Sequence, residues 1–569
     1  GVETVTGGAG DDLLTVTTND IAAIDGGAGL DEVVLTSDQG NTVTLSGVET
    51  VTGSIGADIF IILSDDASSI DGGGGIDKIE LKNLSKNNIN VKSIEFVIAS
   101  DGDDTVTISD NTFVSILGGQ GDDTLNLAGS GNSVAVAGIE TIFGSAALDS
   151  VNITANSGNK MTVFGVEIVT AGDGHDIIAI GDGTSAVLDG GLGDDTLIGG
   201  LGDDTLIGGD GNDLFSNDPG NDILIGDIGN DIADYKTATD SLIVTASASL
   251  LIHGDESVGQ DQLESFEFLI ASNFNDVIIE TAEFELANNN FLLVDGKGGN
   301  DVFTLTSELI GLTYESALSG IKVDLDQGIA QSRDVNDLSG IGVDKLTGVK
   351  FVKGSDFSDI FIGYLNDETI ISGDGNDTII SSSGSDVLDG GLGNDVVDYS
   401  NSLTNITIDL SNGTVDKSGA GNDVLFGIES VIGSSFSDII SASNSNGFVF
   451  GGLGSDEITS GIGSDIISYD SILEGGDKIF GFESGIDKIS LSNQIISGAF
   501  TDGLLRSEFF FKGSSEQITT LLEENNFVIF NTDNGSLYFD SDGSGVGESV
   551  LIATFDNNDL TNSDIISVV

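Results

Sequence analysis

Aspartates and glycines recur at fixed intervals in this chain, in a pattern suited to holding a hard cation. Between Gly190 and Asp234 a nine-residue unit occurs five times without a gap, as GGLGDDTLI, GGLGDDTLI, GGDGNDLFS, NDPGNDILI and GDIGNDIAD. The aspartate supplies an anionic oxygen, and the glycines permit positive φ and bring carbonyl oxygens close to a shared ion. The aliphatic residue two places after the aspartate is placed to enter a core, so one unit encodes a turn and a strand together. Many carbonyl donors on a pliable turn favour calcium over magnesium, which demands near-octahedral geometry and keeps its waters.

If two units complete one coil, residues 18 apart lie one above the other at the strand spacing of about 4.8 Å. Asp195, Asp213 and Asp231 then line one edge, and Asp204 and Asp222 the other. In-phase units return at 372–398 and 451–468, adding Asp377, Asp386, Asp395, Asp456 and Asp465. This repeat resembles the G-G-x-G-x-D nonapeptide of RTX proteins, the standard example of a calcium-binding parallel β-helix. The resemblance implies multiple Ca2+ ions seated between successive coils. Each would take Asp oxygens from both coils, with carbonyls of Gly191, Gly193, Gly200 and Gly202 completing the shell. Like-charged carboxylates stacked without ions would repel, so the nonapeptide blocks are expected to unfold without calcium.

Isolated matches at 26–34 and 118–126 are either ion corners or plain turns. The copy GSAALDSVN (144–152) lacks the middle glycine and is expected to be metal-free. DSDGSG at 540–545 looks like the start of a calcium loop but lacks the later acidic ligand, and reads as a turn.

A longer period organises the first part of the chain. GVETV at 1 and 47, SIEFV at 93, GIETI at 138 and GVEIV at 165 are spaced 46, 46, 45 and 27 residues apart. Asp12, Asp58 and Asp104 keep step at 46, as do Asp31, Asp77 and Asp123, with the two series offset by 19. Five half-turns of about nine residues also sum to about 46, but put successive GVETV segments on opposite faces. Two unequal coils of 19 and 27 residues are preferred, since like segments then stack in register. The runs at 13–16, 32–35 and 42–45 are β-branched and aliphatic, bounded by glycine-rich turns, as solenoid strands require.

Beyond the uninterrupted block, units of about 80 residues are punctuated by Tyr235, Tyr314, Tyr399 and Tyr469. These tyrosines are expected to pack in a core or cap. From Gly475 the sequence becomes rich in phenylalanine, consistent with a cap over the exposed edges of a last coil. The expected architecture is all-β: a right-handed parallel β-helix or β-roll solenoid with a C-terminal β-rich cap. Its segments are 1–180, an irregular helix with the 46-residue repeat; 181–234, the main nonapeptide block; 235–371, a longer-repeat helix; 372–398, a second block; 399–474, a helix with a third block; and 475–569, the cap.

Charge narrows the partners. The chain has 94 acidic and 17 basic residues, a formal charge of -77, so phosphate-bearing nucleic acid and anionic lipid meet a like-charged surface. A chain this acidic is often disordered. Here 38% apolar residues at short regular intervals argue for a folded solenoid instead. There is no cysteine, and no apolar run approaches the roughly 18 residues needed to cross a bilayer as a helix. Only two histidines occur, His175 and His253, too few for an H-E-x-x-H zinc site. No nucleophile elbow or phosphate loop is present, so no enzyme is expected here.

GIDKISLS and the ending NSDIISVV resemble the C-terminal region of serralysin-type RTX proteins, where an uncleaved type I secretion signal lies. The resemblance implies export through that machinery and folding on extracellular Ca2+. The long irregular units with scattered nonapeptides resemble calcium-dependent bacterial S-layer proteins, which implies self-association into a surface lattice or an extracellular fibre. Because the first residues already fall within a repeat, the sequence is expected to continue upstream. The alternative reading is the calcium-binding and secretion tail of a larger adhesin or hydrolase.

Overall fold

A computed structural model describes residues 4–19, 23–82, 86–281, 284, 291–334, 336, 339–492, 495, 500–501, 503–519, 528–540 and 549–567. These fall into two compact units, 1–273 with 279–292, and 274–278 with 293–569. Residues 541–545 of the DSDGSG segment lie outside the described residues, as do Phe527 and the last two residues.

The first unit is a parallel β-solenoid. Strands of three to six residues recur about every nine residues, because each aliphatic run is cut by a glycine turn, and successive strands join two parallel sheets alternately. In the nonapeptide block the coil is 18 residues: Val187 pairs with Thr205, and Thr205 with Ile223. Alternate side chains face inward, so Leu188, Leu206 and Leu224 stack from one sheet and Leu197, Phe215 and Ala233 from the other.

Coil length across the 46-residue repeats varies little, as when Thr42 pairs with Ile59, 17 on, and Ala23 with Thr44, 21 on. The expected alternation of 19- and 27-residue coils is therefore incorrect. The strands Thr4–Ala9, Phe96–Ile98 and Ile168–Thr170 lie in one sheet, and Thr50–Thr52 and Thr141–Phe143 in the other. Successive GVETV-like segments thus change sides, and the 46-residue period is two and a half coils. Backbone pairing fixes the coil at about two strand-plus-turn units, and a 27-residue coil would leave a surplus arc unpaired.

A three-strand excursion accounts for the 80-residue units. In the first unit it comprises Ile243–Ala246, Leu250–His253 and Gln260–Glu264. The middle strand is antiparallel to both neighbours, and Gln260–Glu264 rejoins the parallel sheet beside Ile223–Ile228.

The second unit is also a parallel solenoid, with Thr378 over Val396 and Thr369 over Val387. It holds two further excursions, Ile321–Asp324, Ile329–Ser332 and Val343–Thr347, then Thr407–Asp409, Thr414–Asp416 and Asn422–Phe426. Its last rungs are covered from the C-terminal side. Asp477–Phe480 pairs with Val550–Phe555, and Lys488–Leu491 with Ile565–Ile566. Phe482, Phe530 and Phe555 meet edge to face there, at centroid distances of 5.2 and 5.9 Å. Among the described residues no helix is long and apolar enough to cross a membrane.

Candidate metal centre

Each repeat places its aspartate at a corner, just before a strand, and the corners are hydrogen-bonded coil to coil. The Asp195 amide donates to Asp213 Oδ1 at 2.7 Å, and the Asp213 amide to Asp231 Oδ1 at 2.9 Å. On the other edge the Asp204 amide donates to Asp222 Oδ1 at 2.7 Å, and in the second unit Asp377 reaches Asp395 at 2.8 Å. The corners of the 46-residue repeat follow suit: Asp12 to Asp31, Asp58 to Asp77 and Asp104 to Asp123. Where a ladder ends, the glutamate of a GVETV-like segment takes the amide instead. Glu49 accepts from Asp31, Glu95 from Asp77, Glu140 from Asp123 and Glu267 from Asp231. That glutamate is a functional residue of the corner that sequence reading left unassigned.

One carboxylate oxygen is thereby engaged, and the fate of the other sorts the corners into two kinds. At Asp31, Asp77, Asp123, Asp176, Asp195, Asp204, Asp213, Asp231, Asp301, Asp377, Asp395 and Asp456 the buried Oδ2 has no hydrogen-bond partner. The residue four positions earlier is nearly always at positive φ: Gly191 at 97°, Gly200 at 97°, Gly209 at 106°, and even Asp227 at 74° and Lys297 at 59°. At Asp58, Asp104, Asp149, Asp359 and Asp438 that position is serine, none of them at positive φ, and the serine amide donates to Oδ2. At four of these the serine hydroxyl adds a second bond, 2.8–3.0 Å long.

At the nonapeptide corners glycine also provides space. A Cβ on Gly209 would strike the Gly191 carbonyl, and one on Gly193 the Gly174 carbonyl. Among the described residues no three acidic or histidine side chains converge as a metal cluster. The donor set is therefore a stacked aspartate oxygen amid backbone carbonyls. A buried anionic oxygen without a donor costs several kcal/mol unless a charge meets it. Hard, oxygen-only donors on a pliable turn fit Ca2+, which takes six to eight such ligands.

A family model described as RTX calcium-binding nonapeptide repeat (4 copies) matches residues 1–15, 180–215, 218–233, 354–397 and 432–467. The chain carries RTX calcium-binding repeats. Among solved structures, the crystal structure of extracellular lipase LipA from Serratia marcescens is similar at 13% identity, with a TM-score of 0.15, over 50% of this chain and 45% of the lipase. The match spans less than half of the lipase. No curated protein sequence matches the chain.

The electrostatics of the RTX corners follow from their burial. Desolvation pushes the carboxyls of Asp195, Asp231 and Asp395 up to about 7 and Asp456 up to about 8, with the stacked neighbouring carboxylates adding to the shift. Asp77 reaches about 7, and Asp123 and Asp204 about 6, for the same reason.

Several expected ligands present no free oxygen. Asp58 and Asp104 are closed by Ser54 and Ser100, which donate both amide and hydroxyl. Asp465 Oδ2 accepts the Gly461 amide at 2.8 Å, and Asp222 bonds the carboxyl of Asp218, which burial pushes up to about 8. Asp386 meets a lysine. Asp12, by contrast, is half-exposed, on the first described coil. Gly193 lies at φ 122°, whereas Gly202 is not at positive φ and stacks on the Thr184 carbonyl. The corner at 144–152 is closed by Ser145, not merely short of a glycine.

Two open corners escaped the sequence reading, Asp176 in AGDGHD and Asp301 in GKGGND. The legible signal was an aspartate after a glycine pair or G-x-G and directly before an apolar strand. Two of the tyrosines are polar participants as well as packing: Tyr235 donates to Asp261 Oδ2 and Tyr399 to Asp423 Oδ2, each at 2.8 Å.

Proposed function

We propose that this chain is an exported, calcium-dependent structural protein that folds on extracellular Ca2+ and assembles into a cell-surface layer or an extracellular fibre. The observation that carries the reading is the set of stacked, buried aspartate oxygens with no proton donor, aligned at glycine corners in both units. Asp195, Asp204, Asp213, Asp231, Asp377, Asp395 and Asp456 hold the ions of the nonapeptide blocks, with Asp31, Asp77, Asp123, Asp176 and Asp301 as outlying sites. Bound calcium supplies the positive charge the corners lack. The chain's own residues do the rest: residues at positive φ, mostly glycines, keep the corner free of amide donors, and the amide ladder holds successive carboxylates in line.

Export through a type I channel suits such a chain, because low cytosolic calcium keeps the open corners unclosed until the chain is outside. The role is structural, with no catalysis assigned to this segment. Lattice contacts are made between acidic faces bridged by further divalent ions, since a formal charge of -77 otherwise opposes self-association. Far-ultraviolet circular dichroism in excess chelator and in millimolar calcium tests the folding step, and equal β content in both rejects it. Electron microscopy of the native cell surface, before and after chelator washing, tests the assembly: a periodic layer or fibre shed by the wash is expected, and a bare surface in calcium refutes it.

A further inference from the structure

The corner at Asp386 lies in the second nonapeptide block, yet it contains a cation of the chain's own. Lys417 comes from the antiparallel excursion 407–426 and is only 2% exposed at its side chain. Its Nζ lies 3.1 Å from Asp386 Oδ2, 2.6 Å from Asp423 Oδ1 and 2.7 Å from the carbonyl of Ser382. Asp386 and Asp423 are successive corners of one ladder, since the Asp386 amide donates to Asp423 Oδ1 at 3.0 Å. The ammonium thus meets two stacked carboxylates and a turn carbonyl, the donor set that an open corner offers an ion. The remaining Asp423 oxygen accepts from Tyr399 at 2.8 Å and Ser381 at 3.0 Å, so no oxygen of the pair is left without a donor.

The three excursions provide an internal comparison. In each, the residue before the corner aspartate pairs with the middle strand: Gln260 with His253, Val343 with Gln331, and Asn422 with Asp416. The next residue on the middle strand's side is Gly254, Ser332 and Lys417, so one excursion of the three places a cation there. Where Gly254 stands, Asp218 and Asp222 are instead drawn into a carboxyl pair.

We infer that Lys417 is a tethered substitute for the metal ion, closing the Asp386–Asp423 corner so that this part of the second unit holds its fold without calcium. A buried triad of this kind does not stabilise by charge alone, because desolvating three ions is costly, but removing one member leaves the others uncompensated. Loss of the ammonium therefore recreates an open corner. The inference rests on calcium binding at the open corners, and the test separates the two.

Hydrogen exchange is measured on the full chain in chelator and in millimolar calcium, for wild type, Lys417→Met and Lys417→Arg. In wild-type chelator samples, amides of 414–426 are expected to stay at least about tenfold better protected than those of 205–216. Lys417→Met should lose that protection in chelator and regain it in calcium, with one more bound ion by mass spectrometry, while Lys417→Arg stays near wild type. Equal loss at both segments in wild-type chelator samples overturns the inference, as does a Lys417→Met defect that calcium fails to rescue. If 205–216 does not respond to calcium at all, the calcium reading itself fails, whatever Lys417 does.

Discussion

At the scale of single residues, serine four positions before Asp58, Asp104, Asp149, Asp359 and Asp438 turns an amide onto the carboxylate, and a residue at positive φ in that position does not. Ser355→Ala removes a hydroxyl 2.8 and 3.0 Å from the Asp359 oxygens, and should cost about 1–2 kcal/mol whether or not calcium is present. Asp213→Asn should instead lower the number of bound calcium ions and raise the calcium needed for folding, both read by titration calorimetry; an unchanged ion count would contradict the assignment. The raised carboxyls give the pH dependence its sign. Asp195, Asp231 and Asp395 titrate at about 7 in the folded chain, against about 3.9 unfolded, so their neutral form favours folding. Their contribution is full below about 4 and lost as pH rises through about 7. In chelator, the far-ultraviolet β signal should therefore be larger at pH 5 than at pH 8. The opposite order would show that these carboxyls do not control the metal-free fold. The 18-residue stacking of Asp195, Asp213 and Asp231 was readable from spacing alone. The closure of Asp58 by Ser54 was not, because GSIGAD differs from a nonapeptide by one small residue whose effect lies in the sign of φ and the direction of one amide.

At the scale of elements, the strands at 13–16 and 32–35 were legible from composition, whereas the path of the coil was not. Period alone cannot separate two and a half equal coils from one short and one long. Strand pairing does, by placing Val5 and Val51 in different sheets. The 80-residue units are legible as tyrosine punctuation, but the antiparallel strand at their centre has no distinctive composition. The cap is an element with a separate duty. Its strand Val550–Phe555 occupies the edge of Asp477–Phe480 by pairing Asp477 with Ala553. Removing residues 475–569 would expose the edges of the rungs at 457–459 and 466–469, leaving unpaired amides and carbonyls beside buried Ile458 and Ile467. At concentrations below those at which the full chain assembles, the truncated chain should already self-associate in calcium, as read by light scattering. Monomeric behaviour of the truncation would deny the cap this role.

At the scale of the whole molecule, charge and fold oppose each other until cations intervene. A formal charge of -77 stretches a metal-free chain, and monovalent salt screens that repulsion over about 10 Å at 0.1 M without entering a buried corner. Sodium chloride should therefore compact the chelated chain in small-angle scattering without restoring the β signal that calcium restores. Full recovery of that signal by sodium alone would mean that screening, rather than site binding, drives folding. Strands and acidic corners could be read at this scale from the sequence. The division of the described residues into two compact units could not, because the repeats run on both sides of it with the same texture.

The half-integral period of the first unit has one more effect. A gene that lengthens by copying this 46-residue module turns each new copy's display through half a revolution, so any decoration borne by the module appears on the front, then the back, then the front again. Duplication alone would yield an object ornamented on both sides, with no second module having to be invented.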